Sequence, residues 1–207
     1  METFKCITPS WEEMYAIAKA TSEKIKRSGF YPDLIIAVSR GGLVPARMIA
    51  DFLQIKNILS VKADHWGITA SKDGKARISY GLNADISGKR VLIVDDVTDT
   101  GQSMELVKRH IEGLHPKESK TATLFHLTNS KYVPDFFGRE QGWAWIVFPW
   151  NYTEDMVNII GKITQDKRKE TKEIMRELKK NYDLTMEEKE IEEIMEHLLY
   201  LKKVQGS

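Results

Sequence analysis

Residues 91–103 read VLIVDDVTDTGQS. An apolar run ends in two adjacent carboxylates, Asp95 and Asp96, and a third acid, Asp99, follows among Thr98, Thr100, Gly101, Gln102 and Ser103. The hydroxyls are donors, and the glycine lets backbone N–H groups approach a ligand closely. A helix starting near Gln102 would turn its positive end toward the loop. Together these make a cradle for a phosphate. The two acids one step earlier suit a pair of vicinal sugar hydroxyls, or a hard divalent cation shared with a phosphate. A ribose 5-phosphate fits both halves of the stretch.

A second segment, AVSRGGLVPARMIADFL (37–53), places Ser39, Arg40, Gly41 and Gly42 at the end of another apolar run. One fixed guanidinium among close backbone donors suits a diphosphate. A third, WAWIVFPWNYTED (143–155), concentrates tryptophan beside apolar residues. Other readings of the acidic stretch fare worse. A P-loop ATPase needs G-x-x-x-x-G-K-[ST], but Gly74–Lys75, Gly88–Lys89 and Gly161–Lys162 are followed by Ala, Arg and Ile. A phosphoacceptor receiver needs a further Asp ending a later strand, which is not found. Acids merely solvated at a strand end would not need the phosphate-type loop.

These groups must be held by strands that end at the loops. DLIIAVS (33–39) reads as a buried strand leading into a helix at 44–53, and RVLIVDD (90–96) as another leading into a helix from Gln102 to Leu114. NILSVKA (57–63), KTATLFHL (120–127) and WAWIVF (143–148) complete the expected strands. Residues 10–28 read as a helix with Ser10 and Glu13 as a capping box and Gly29 as its stop. Trp11, Met14, Tyr15, Ala18 and Ile25 fall near one face of it. Residues 64–82 have no period and read as a long loop with room for a short hairpin. Strands and helices alternate, and the strands are apolar on both faces, which predicts a mainly parallel sheet covered by helices. The alternation ends near residue 150. Beyond Glu154 the chain reads as helix, with a break at NYDLT (181–185). Helices over 166–180 and 185–203 are expected, with Ile174, Leu178, Ile191, Ile194, Met195, Leu198 and Leu201 on their apolar faces.

At 207 residues the chain is long enough for one α/β domain, with length to spare. Its net charge of +1 sets up no global field for nucleic acid. Cys6 is the single cysteine, which excludes an internal disulfide framework and suits a reducing interior. No apolar run approaches the roughly 18–20 residues that span a bilayer, and the N-terminus lacks a signal peptide's apolar core. The expectation is a soluble cytoplasmic protein with neither membrane nor nucleic acid as partner.

Four apolar residues, two acids and T-G-x-S make residues 91–103 resemble the 5-phosphoribosyl 1-pyrophosphate (PRPP) signature of type I phosphoribosyltransferases. Residues 37–53 resemble the pyrophosphate loop of bacterial and archaeal xanthine-guanine-type purine phosphoribosyltransferases, and residues 143–155 resemble their W-I-x-x-P-W purine segment. The resemblance spans about residues 10–155. It implies an α/β fold of the type I phosphoribosyltransferase class, mainly a parallel sheet with helices on both faces and a small hood. The expected phosphoribosyltransferase domain, hood included, is 1–160, with a C-terminal helical extension at 161–207. The implied reaction joins a purine base to PRPP, giving a nucleoside monophosphate and pyrophosphate. By resemblance, Asp95 and Asp96 hold the ribose hydroxyls and help place Mg2+. Ser39, Arg40, Gly41 and Gly42 hold pyrophosphate. Thr98, Asp99, Thr100, Gly101, Gln102 and Ser103 hold the 5-phosphate. Asp99 takes a proton at the imidazole edge of the base, so Asp99 and Arg40 are the catalytic pair. Trp145 stacks on the base, with backbone groups near Ile146 and Val147 at its edge; Trp143 and Trp150 are read as packing residues. Lys75 and Arg77 fall in the segment matching the family's mobile lid. A homodimer is the usual implication.

The pattern departs from the family at two places. Oxopurine enzymes supply a lysine, on the strand corresponding to 123–130, that donates to the 6-oxo group; here the position is Leu127, with His126 before it and Lys131 four residues on. An unpaired buried oxo group costs roughly 1–3 kcal/mol, whereas a 6-amino group needs only an acceptor. The expectation is therefore adenine, with the 6-oxopurines hypoxanthine, guanine and xanthine as the alternative. The helical extension leaves room for a second class, a non-catalytic PRPP- or nucleotide-sensing regulator, although the acidic run TMEEKEIEEIMEH (185–197) repels phosphate backbones. Orotate, uracil and amidotransferase-type enzymes are the remaining enzyme alternatives.

Overall fold

The computed structural model describes residues 3–65, 76–165 and 169–205. In chain order the elements are β1 (Cys6–Ile7), α1 (Trp11–Arg27), β2 (Leu34–Ser39), α2 (Leu43–Leu53), β3 (Ile58–His65), β4 (Ala76–Tyr80), β5 (Arg90–Thr98), α3 (Gln102–Glu112), β6 (Glu118–Leu127), β7 (Phe136–Gln141), β8 (Trp145–Ile146), α4 (Tyr152–Ile163), α5 (Thr171–Tyr182) and α6 (Glu188–Gln205). They form two compact units, Trp11–Trp143 and the paired segments Met1–Ser10 and Ala144–Ser207.

The first unit is a sheet of order β4-β3-β2-β5-β6-β7. Every pairing is parallel except that of β4 on β3. The unbroken apolar runs of β2 and β5 follow from this position: both faces are covered, so both sets of alternating side chains are buried. On one face Leu34, Ile36, Val38, Val91 and Ile93 pack with Met104, Val107 and Ile111 of α3. The alternate residues Ile35, Ala37, Leu92 and Val94 are fully buried as well, on the face covered by α1 and α2. Each such Ile, Leu, Val or Met side chain contributes about 1.5–3 kcal/mol through burial. At the opposite end of the strands, Asp33 accepts hydrogen bonds from the backbone N (2.8 Å) and the Nη2 (2.9 Å) of Arg90, tying the start of β2 to that of β5.

The crossovers decide where a ligand can sit. The β2–α2–β3 connection runs toward one edge of the sheet and β5–α3–β6 toward the other. Right-handed crossovers then put α2 and α3 on opposite faces. The strand order reverses between β2 and β5, and the crevice outside the carboxyl ends of those two strands is where open α/β sheets bind ligands.

The buried side of α1 consists of Met14, Ile17, Ala18, Thr21, Ser22 and Ile25. Trp11 and Tyr15, expected on that face, are 53% and 54% exposed; they lie one stripe over and, with Glu12 and Met48, border a shallow cavity of about 380 Å³. Strand β7 was not expected, because FFGREQ mixes charge and glycine into an edge strand with one covered side. Gly138 in it is fixed by packing: a Cβ there would stand 2.8 Å from Thr21 Oγ1 and 2.8 Å from Leu124 O. In the segment expected at 64–82 as a loop with room for a short hairpin, β3 runs on to His65 and β4 returns antiparallel on it, and residues 66–75 lie outside the described residues.

In the second unit β1 and β8 pair in parallel, Cys6 opposite Trp145 and Ile7 opposite Ile146. The strand expected over 143–148 is thus only two residues long. Cys6, Val147, Met156, Ile159, Ile160 and Ile163 share one core with Ile174, Leu178 and Tyr182 of α5 and Ile191 and Ile194 of α6. Phe4 joins it through its ring, 5.0 Å and edge-on to Tyr182, and its N–H donates to Asn181 O at 3.1 Å. The boundary expected at 160 falls inside α4, and the C-terminal helices pack into the same core as the strand pair. The break at NYDLT is present: α5 ends with Asp183 in the left-handed region, φ 57°. Among the described residues no helix is long and apolar enough to cross a membrane.

Burial pushes the Cys6 thiol up to about 12, with Asp155 and Asp183 adding in the same direction. A thiol that is both enclosed and protonated does not attack electrophiles at neutral pH. Modification of Cys6 by a disulfide reagent should therefore be slow in the native protein and immediate in denaturant, with the native rate reporting opening of this unit. Equal rates in the two conditions would place Cys6 at the surface.

Candidate active site

The loops after β2 and β5 meet at the reversal point. Ala37 is opposite Val94 in the β2–β5 register, so both chains leave the sheet at about the same level. Gly42 N–H turns back onto Val38 O at 2.8 Å and Leu43 N–H onto Arg40 O at 3.1 Å. The Ser39–Arg40 peptide bond is cis. A Cβ on Gly42 would lie 2.7 Å from Val38 O and 2.9 Å from Val38 N; one on Gly41 would lie 2.6 Å from Cγ and 2.8 Å from Oδ1 of Asp96. Both positions thus require glycine by contact. The backbone of the expected diphosphate loop rests directly on a carboxylate of the expected ribose site. Ser39 is half-buried at the end of β2, and Arg40 is exposed.

Asp95 and Asp96 sit inside the end of β5. Asp96 is 8% exposed, and its N–H donates to Asp95 Oδ1 at 2.9 Å. Asp95 keeps some open surface, yet its carboxyl is pushed well above the usual range by desolvation and then by the neighbouring charge of Asp96. The pair therefore carries an electrostatic load that a hydroxyl donor or a cation would relieve. Among the described residues no group of three or more His, Cys, Asp or Glu side chains could by itself hold a metal ion. Two carboxylates fit Mg2+, which takes one or two from the protein and completes its shell with phosphate oxygens and water.

Beyond β5, Gly101 has φ 84° and caps α3. Thr100 Oγ1 accepts weakly from Gln102 N at 3.4 Å, and Asp99, Thr100 and Ser103 are half-buried, with Gln102 exposed. Thr98 departs from expectation: it is 2% exposed, and its hydroxyl pairs with His126 Nδ1 at 3.0 Å. It braces β5 against β6 and does not present its hydroxyl to a phosphate. The same bond takes up Nδ1 of His126, which is 5% exposed.

The turn after β6 forms a third wall that is absent from the sequence expectations. A Cβ on Gly101 would meet Tyr132 N at 2.8 Å and Ser130 Oγ at 3.0 Å. Lys131 N–H donates to Thr100 O at 3.4 Å, and Asn129 Nδ2 donates to Asp99 Oδ1 at 3.5 Å. The turn is braced internally by Ser130 N to Leu127 O at 2.9 Å and Ser130 Oγ to Tyr132 O at 3.0 Å. The turn-forming composition of TNSK was the available signal. Leu127 itself is 3% exposed, at the end of β6.

The remaining expected base residues belong to the second unit. Trp145 is half-buried, donates from Nε1 to Asp155 Oδ1 at 3.1 Å and lies 6.2 Å from the Phe4 ring. Ile146 and Val147 are buried. The N–H of Val147 is taken by Ile7 O at 2.9 Å, so that donor is committed to the fold. Trp150 stacks on Phe148 at 4.8 Å and 9°, as a packing residue does, whereas Trp143 is 41% exposed. Lys75 lies outside the described residues; Arg77 stands on β4 opposite Asp64.

Two tests follow from this geometry. An acid with a raised folded-state pKa destabilises the fold once it is ionised, so stability falls as pH rises from the unfolded carboxyl value, about 3.9, through the folded one. Asp95→Asn keeps the acceptor for Asp96 N–H and removes the charge. Its melting temperature should exceed that of the wild type at pH 7.5, with the difference shrinking toward pH 4. A variant less stable at pH 7.5 contradicts the buried-charge assignment. Gly41→Ala drives a methyl into the Asp96 carboxylate and should weaken diphosphate binding by about tenfold or more, read by calorimetry; unchanged affinity would separate that loop from the site.

A phosphoribosyl transferase domain model matches residues 10–156. The xanthine-guanine phosphoribosyltransferase of Desulfotalea psychrophila is 33% identical over 145 residues, 69% of this chain and 84% of that protein. That of Ruegeria sp. is 32% identical over 154 residues, 69% of this chain and 83% of the other. The crystal structure of a purine phosphoribosyltransferase from Pyrococcus horikoshii OT3 superposes with a TM-score of 0.62 at 33% identity, covering 70% of this chain and 93% of that one. The type I fold expected from three short motifs is the fold of these relatives, and the chain belongs to the phosphoribosyl transferase family.

Proposed function

We propose that the protein is a purine salvage enzyme that transfers ribose 5-phosphate from PRPP to a 6-oxopurine base, releasing pyrophosphate. The observation that carries the proposal is the contact of the Gly41 backbone with the Asp96 carboxylate. It supports reading the 39–42 loop as the diphosphate site and Asp96 as an acid for the sugar hydroxyls, two groups that adjoin in PRPP. The adenine preference expected from Leu127 is not supported. The relatives are named for xanthine and guanine, and those names favour the oxopurine alternative.

In this reading Asp95 and Asp96 accept from the ribose hydroxyls, which relieves the desolvated charge on Asp95. The backbone of 40–42 and the Arg40 guanidinium hold the diphosphate and stabilise its charge as the glycosidic bond breaks. Thr100, Gly101, Gln102 and Ser103 hold the 5-phosphate at the start of α3. That remote binding fixes the anomeric carbon for attack. Asp99 accepts the proton that the base's imidazole edge loses as its nitrogen bonds to the sugar. Mg2+, held by Asp95, Asp96 and the substrate's oxygens, would supply charge neutralisation. The proposal keeps for Trp145 the stacking role that the resemblance implies; Asp155 and Phe4 fix the ring's orientation. A homodimeric state belongs to the same reading. The family match and the enzyme names of the curated relatives support the catalytic reading over the non-catalytic regulator.

Competition of hypoxanthine, guanine, xanthine and adenine for a fixed PRPP pool, with product nucleotides separated chromatographically, tests the proposal. The expected outcome is a specificity constant for at least one oxopurine about tenfold or more above that for adenine. An adenine preference would sink the oxopurine assignment. Absence of transfer to any purine, with PRPP still bound, would sink the purine assignment as a whole.

A further inference from the structure

A site for a 6-oxopurine needs a donor at the 6-position, and Leu127 has none. It is an alkyl chain, 3% exposed, at the end of β6. The other nearby groups do not offer one readily. His126 is 5% exposed, and its Nδ1 is taken by the Thr98 hydroxyl. Lys131 is exposed, and what docks it on the phosphate loop is its backbone N–H, on Thr100 O.

Asn129 is exposed as well, but its side chain is placed by a contact with the phosphate loop. It follows Leu127 by two residues, on a turn held to the β5–α3 loop by the close fit of Gly101 against Ser130 and Tyr132 and by the Lys131 N–H. Its amide nitrogen reaches Asp99 Oδ1 at 3.5 Å. A carboxylate only accepts, so this contact turns the NH2 end of the amide toward Asp99. The NH2 group carries a second hydrogen, diverging from the first. On a purine, N7 and the 6-substituent are neighbours on one edge, close enough for one planar side chain to contact both. If Asp99 serves the imidazole nitrogen, the group beside it faces the 6-position.

We propose that Asn129 is the specificity-determining residue of this enzyme. Its amide, oriented by Asp99, donates to the 6-oxo group in place of the side chain missing at 127. The same orientation discriminates against a 6-amino group, which would meet a donor with a donor. This inference rests on the 6-oxopurine reading above and adds the residue that enforces it.

The test compares wild type, Asn129→Ala and Asn129→Asp for kcat/KM with hypoxanthine, guanine and adenine, alongside the KM for PRPP and the melting temperature. Loss of one hydrogen bond to a buried oxo group corresponds to about tenfold or more in specificity constant. The oxopurine-to-adenine ratio should fall by that factor in Asn129→Ala and further in Asn129→Asp, whose carboxylate repels both Asp99 and the oxo group. Adding Leu127→Lys to Asn129→Ala should restore the ratio. A ratio unchanged in Asn129→Ala overturns the proposal even if the wild type uses oxopurines. So does a uniform loss for all bases with a raised KM for PRPP, which is the signature of a turn that only supports the phosphate loop. A wild type that transfers to no oxopurine overturns the underlying reading instead, independently of either variant.

Discussion

The site depends on one close approach, that of the Gly41 main chain to the Asp96 carboxylate. A side chain at 41 would fill the space, and a shift of one strand against the other would open it. That approach is available because β2 and β5 are adjacent, parallel and in register, and because their crossovers leave in opposite directions. The apolar side chains of both strands hold this register, buried on both faces, and the Asp33–Arg90 pair ties the far ends. The two loops are therefore positioned by the most deeply buried part of the molecule, as the precision of a positioning catalyst requires.

Electrostatically the crevice is unbalanced. Asp95, Asp96 and Asp99 are the acids of the expected site, and Arg40 is its cation. The tension appears in the raised carboxyl of Asp95, which pays in folding stability for a charge useful only when a ligand is present. Such a site selects for ligands that bring hydroxyls and cations to one half and negative charge to the backbone donors of the other. A phosphorylated sugar carrying a diphosphate and accompanied by a divalent cation has that distribution.

Legibility in the sequence followed burial. The central strands and their loops were readable, because a strand covered on both faces is an uninterrupted apolar run and because glycines at 41, 42 and 101 are dictated by contact. Edge elements were not. β7 carries Arg139 and Glu140 on a strand with one neighbour, and β1 and β8 are two residues each, below what any period can reveal. The helix face of α1 was misread by one stripe, since aromatic residues at Trp11 and Tyr15 outweighed the small residues that face the sheet. Thr98 was assigned to the ligand by motif position, but its place inside β5 turns the hydroxyl to His126. The turn at 128–132 carries no long-range signal in sequence; its meaning comes from Gly101, thirty residues earlier in the chain and in contact with it. The adenine expectation rested on one missing lysine, because a single position is visible in the sequence and its three-dimensional neighbourhood is not.

The core that joins Cys6 and Phe4 to α4, α5 and α6 has a consequence for biosynthesis. Residues 11–143 are contiguous, so the sheet unit can complete itself while translation continues. Residues 3–10 are made first, but they find their partners only after α5 and most of α6 have been synthesised. Until then Phe4, Cys6 and Ile7 have no core to enter. The unit that contains both chain ends is therefore the last to form, and it closes a loop of more than a hundred residues when it does. Its assembly is slow by topology, and the helical extension is the piece whose arrival allows β1 to dock.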